Sequence, residues 1–102
     1  MEQHFNCLDM LRIRTAGSAR RECACGILLE IWSSGGVIQA DKPLEKGEKF
    51  MIHLAKTEIE AEVQDHEEDV YGSYIRFAVS SPWFPESFQP SYLNSETHGK
   101  DL

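Results

Sequence analysis

At 102 residues and a formal charge of −7, the chain is the size of one compact domain, and its charge argues against nonspecific attachment to DNA, RNA or an anionic membrane. Apolar residues at 41% and charged residues at 26% sit near the globular average, which excludes wholesale disorder and fibrous repeats. Apolar runs such as Gly26–Leu29 are too short for a spanning helix, and the opening MEQHFNCLDM has neither a basic nor an apolar signal region, so a cytoplasmic location is expected.

Alternation of period two dominates from residue 8 to residue 79 and predicts strands. Leu8–Thr15 reads as a first strand, with Leu11 and Ile13 on one face and Arg12 and Arg14 on the other. After a turn at Ala16-Gly17-Ser18, Arg20–Trp32 reads as a long second strand in which Gly26 marks a bulge or bend. Ser33-Ser34-Gly35-Gly36 turns the chain into a third strand, Val37–Ala40, whose short exposed edge could support a dimer. A loop over Asp41–Glu48 leads to Lys49–Ala55, with Phe50, Ile52 and Leu54 inward. Glu58–Gln64 sets Ile59, Ala61 and Val63 against Glu58, Glu60 and Glu62 on the opposite face. The acidic run Asp65–Asp69 reads as a loop before the last strand, Tyr71–Val79, with Ile75 and Phe77 inward.

Six strands with hairpin-like connections predict an all-β fold, a small six-stranded antiparallel β-barrel, because closure removes the edges. Residues 1–80 are assigned to the barrel. Residues 81–93, with Trp83, Phe84 and Phe88 among prolines, are assigned to an aromatic segment that caps it and forms one helical turn at most, and residues 94–102 to a disordered tail.

Nothing in the chain has a nucleophile signature or a phosphate-loop signature, and Glu58, Glu60 and Glu62 form a solvated row rather than an enclosed catalytic pair. No catalytic residue, and no enzyme, is expected. Cys7, Cys23 and Cys25 with His4 could supply four zinc ligands, but Cys-x-Cys is tighter than structural zinc spacing and buried packing is the preferred role, so no metal is expected. Residues 1–40 are electrically neutral while residues 41–102 carry the whole −7. Four of the five arginines, Arg12, Arg14, Arg20 and Arg21, lie close together in the neutral part. Their planar forks suit phosphate or guanine.

The order of elements resembles the PilZ domain. The resemblance runs from about Leu8 to Val79 through the Ser-Gly-Gly turn, the Pro43-Leu44 loop, Ile59-Glu60-Ala61-Glu62-Val63 and Tyr71-Gly72-Ser73-Tyr74-Ile75-Arg76-Phe77. It implies a β-barrel of bacterial signalling that binds cyclic di-GMP through an Arg-x-x-x-Arg motif and an Asp/Asn-x-Ser-x-x-Gly turn. Ser33 and Gly36 match the turn, but Ile31 stands at its acidic position with Glu30 one place off, and no two arginines here are four apart. Lost bidentate contacts of this kind cost about 1.5–3 kcal/mol each.

The residues expected at a degenerate site are therefore Ser33, Gly36 and Trp32, with Arg12 and Arg14 as the arginines best able to replace the missing motif. The reading taken forward is a signalling and adaptor domain with a protein partner in a motility, surface or secretion pathway. Its acidic residues, Glu58–Glu62 and Asp65–Asp69, would suit a basic partner. The alternatives are a working cyclic di-GMP receptor with an atypical arginine set, and an unrelated small β-barrel serving as an interaction module.

Overall fold

A computed structural model describes residues 3–15, 23–54, 56–86, 88–91 and 93–96. The turn expected at Ala16–Ser18, Arg20, Arg21 and residues 97–102 lie outside them. Seven strands form: β1 (Phe5–Thr15), β2 (Cys23–Trp32), β3 (Gly35–Ala40), β4 (Lys49–Leu54), β5 (Thr57–Asp69), β6 (Gly72–Val79) and β7 (Leu93–Glu96). All neighbouring strands are antiparallel, in the order β2-β3-β6-β5-β4-β1, and β1 pairs back onto β2 to close a six-stranded barrel. On its other side β1 is shared, with β4 along Arg12–Thr15 and β7 near Phe5 and Cys7.

The alternation read from the sequence is the one that fills the barrel. Leu11, Ile13, Phe50, Ile52, Leu54, Ala61, Val63, Ile75 and Phe77 are all buried, and Ile59 packs half-buried against them. Trp83, Phe84 and Phe88 are buried too. Trp83 meets Phe77 edge-on at 5.7 Å and stacks with Phe88, also at 5.7 Å, so the aromatic segment belongs to the core.

Three expectations change. The acidic run Asp65–Asp69 is strand, because a bulge at Gln64 resets β5 and lets it pair with Gly72–Arg76; the turn is only Val70-Tyr71. Irregularities in β2 fall around Leu29 and not at Gly26: Leu28 pairs with Ile38 but Glu30 with Val37, leaving Leu29 extra. Over the described residues of 81–91 the Phe88 N–H donates to the Trp83 carbonyl in a single wide turn, within the one helical turn expected at most. Leu93–Glu96, expected within or beside the disordered tail, add to β1 as β7. Closure also removes the β3 edge, which is paired on both sides, so a dimer cannot form there by strand addition.

The inward face of β1 carries a thiol and a carboxylate. Cys7 and Asp9 are both buried, and Asp9 Oδ2 accepts the Ser91 N–H at 2.8 Å, tying the segment before β7 to the barrel. Burial, then the Asp9 and Glu30 carboxylates, push the Cys7 thiol up to about 12. The native state therefore holds this proton where the unfolded chain releases it. That contribution is complete below the ordinary thiol value near 9 and is lost as pH rises toward 12. Urea midpoints taken from pH 8 to pH 11 should fall more steeply for the wild type than for Cys7→Ala; equal slopes would refute this. Cys25, on the outer face, is exposed, so the two thiols stand on opposite faces of the wall.

Candidate functional site

The end of β2 positions the residues that resemble a ligand-binding turn. The extra residue at Leu29 shifts the parity of the strand, so that Leu28 and Ile31 both point inward and are fully buried. Glu30 and Trp32 consequently share the outer face. The position where the related motif carries a carboxylate or amide is thus a core side chain, Ile31, while the nearby carboxylate, Glu30, faces outward and lies 2.7 Å from His4 Nδ1.

Trp32 is only 6% exposed although it lies outside the barrel. His4 stacks on its ring with centroids 4.1 Å apart and planes 12° apart, and the Arg76 guanidinium sits 5.3 Å from the ring centroid. A cation over an indole face is worth about 0.5–2 kcal/mol depending on desolvation. The surface that a nucleobase would need is occupied by side chains of the chain itself.

The turn proper is two residues, Ser33 and Ser34, and its carbonyls point at the aromatic segment and at the end of β6. The Trp83 N–H donates to the Ser33 carbonyl at 3.1 Å and the Val79 N–H to the Ser34 carbonyl at 2.9 Å. The Trp83 indole N–H is shared between the carbonyls of Trp32 and Gly35, at 3.0 and 3.2 Å. Gly35 and Gly36 lie against β6: a Cβ on Gly35 would stand 2.1 Å from the Phe77 carbonyl oxygen, and one on Gly36 2.8 Å from the Phe77 ring. Close approach of β6 accounts for both glycines without a ligand.

The arginines lie elsewhere. Phe5 of β1 is opposite Ile31, whereas Arg12 is opposite Cys25 and Arg14 opposite Cys23. Seven residues of strand separate Arg12 from Phe5, roughly 20 Å. There Arg14 pairs with Glu58, and both arginines line a hollow with Met51 and His53. Of the five residues expected at the site, Ser33, Gly36 and Trp32 come together and Arg12 and Arg14 do not join them. The arginine at the turn is Arg76, accompanied by His4 and Glu30. Arg76 was legible as an outward residue between Ile75 and Phe77, but its placement needed the pairing of β3 with β6. Comparisons with protein-family models, with curated proteins and with solved structures find no match.

Proposed function

We propose that the chain is a non-catalytic, PilZ-like signalling and adaptor barrel of the cytoplasm, which acts by contact with a protein partner in a motility, surface or secretion pathway and does not take cyclic di-GMP. The observation that carries this reading is the self-filled turn. Ile31 lies in the core, Trp32 is covered by His4 and Arg76, and Arg12 and Arg14 sit on the far part of the wall. The exposed row of Glu58, Glu60 and Glu62 supports a role in steering a basic partner rather than proton transfer, which needs carboxylates in an enclosed site.

Thermal unfolding with cyclic di-GMP, and with GMP as control, tests the nucleotide half of the proposal. No shift is expected at millimolar ligand. Ligand at 100 times Kd would add about 2.7 kcal/mol, a rise of roughly 10 °C for a domain of this size. Such a rise, abolished by Arg76→Ala and retained in Arg12→Ala, would overturn the proposal in favour of a receptor in which His4 moves off Trp32.

A further inference from the structure

The side of the barrel away from the carboxylates carries an apolar surface that no described residue covers. Leu8 and Met10 point outward from β1 and are 58% and 73% exposed, and Tyr71 of the β5–β6 turn is 76% exposed. Between β1 and β3, strand β2 adds Cys25, Ile27 and Leu29, with Met10 opposite Ile27 and Ile27 opposite Gln39. Met10, Cys25, Ile27, Gln39, Asp41 and Tyr71 line a shallow groove of about 290 Å³. The exposed parts of Leu8, Met10 and Tyr71 alone amount to on the order of 400 Å², comparable to the largest patch on a typical monomer, which is often functional, and about half of one partner's share of a standard interface.

The distribution of charge selects the occupant. In the closed order, β5 lies diametrically opposite β2. The exposed Glu58, Glu60, Glu62 and Glu67 project from β5, so two molecules of charge −7 repel each other least when their β2 faces meet. One charge of each sign stands at this end of the face: Asp41 lines the groove, and Arg12 borders it while also lining the hollow with Arg14 and Glu58. Arg12 of β1 stands opposite Cys25, and Asp41, next after β3, flanks Cys25 on its other side. Both are exposed, and neither has an ion pair among the described residues. Because the barrel strands are paired on both sides and, among the described residues, only the four-residue β7 keeps an open edge, the broad surface left for association is a face.

We propose that this face joins two copies of the chain about a two-fold axis running along β2. Such an axis lays β1 of each copy over β3 of the other, since the two strands lie on either side of β2. It sets Ile27 against its equivalent and brings Arg12 of each copy against Asp41 of the other, two strand spacings or about 10 Å across the sheet. An interface of this kind is self-complementary, and each contact is made twice. The assignment does not depend on whether a nucleotide binds at the Ser33 turn.

Light scattering and sedimentation equilibrium on the full chain should give the mass of two copies across the micromolar range. Ile27→Glu should give one copy at the same concentrations while keeping the far-ultraviolet spectrum and a cooperative unfolding transition, because Ile27 lies on the outer face. Arg12→Asp, which sets like charges together twice, should weaken association by about a hundredfold or more, and Arg12→Asp combined with Asp41→Arg should restore it. A wild type of one-copy mass would overturn the proposal and leave the face to another protein. So would a dimer that survives Ile27→Glu, or a double exchange no better than the single one.

Discussion

Trp83→Ala is expected to remove most of the stability of the molecule. The indole is buried between Phe77 and Phe88, and its N–H satisfies two carbonyls of the β2–β3 turn. Truncating a buried aromatic costs about 3–5 kcal/mol, and a buried carbonyl left without its donor adds about 1–3 kcal/mol. A domain of this size has only about 5–15 kcal/mol in total, so the variant should unfold at least 15 °C lower or fail to accumulate. Trp83→Phe separates the two contributions: it keeps a ring against Phe77 and Phe88 but no donor, and should lose about half as much. Urea unfolding of both variants measures the pair. A midpoint for Trp83→Ala near that of the wild type would mean that the aromatic segment is an appendage and not the closure of the barrel.

That closure was legible in part. The strict alternation in Glu58–Val63 leaves no other solution than a half-buried strand, and the same holds for Phe50–Leu54 and Tyr74–Phe77, because a one-residue slip would put every apolar side chain in water. The carboxylate run at Asp65–Asp69 defeated the same logic. A strand whose both faces are polar has no periodicity, and what makes it a strand is the partner β6 and a bulge at Gln64. Leu93–Glu96 is also a strand by partnership rather than by pattern.

The site was less legible than the fold, for the same reason. Whether Glu30 or Ile31 faces outward turned on one extra residue at Leu29, which local composition does not announce. His4, just ahead of β1, and Arg76 of β6 reach Trp32 from segments distant in sequence. Clustering of Arg12, Arg14, Arg20 and Arg21 along the chain suggested a site, yet strand geometry spreads neighbours by about 3.3 Å per residue, so Arg12 and Arg14 are carried away from the turn.

The glycines of that turn give the second large effect. Gly35→Ala places a Cβ 2.1 Å from the Phe77 carbonyl oxygen, a backbone atom held in the β3–β6 ladder, so relief requires β3 and β6 to move apart. Gly36→Ala meets the Glu30 carbonyl oxygen at 2.7 Å and the Phe77 ring at 2.8 Å. Overpacking costs about 1–3 kcal/mol, and more where backbone is the obstacle, so Gly35→Ala should lose at least 3 kcal/mol and Gly36→Ala about 2–3 kcal/mol. Ser33→Ala is the control, because the turn bonds run through its carbonyl and not through its hydroxyl; less than 1 kcal/mol is expected there. Glycines kept for the approach of a ligand would show the reverse order, with Gly35→Ala folding normally and only binding affected. Chemical denaturation of the three variants therefore decides between packing and recognition. The packing reading predicts that the resemblance at Gly36 would persist in a barrel that binds no nucleotide at all, since the hairpin between β2 and β3 cannot close over Phe77 with larger residues at Gly35 and Gly36.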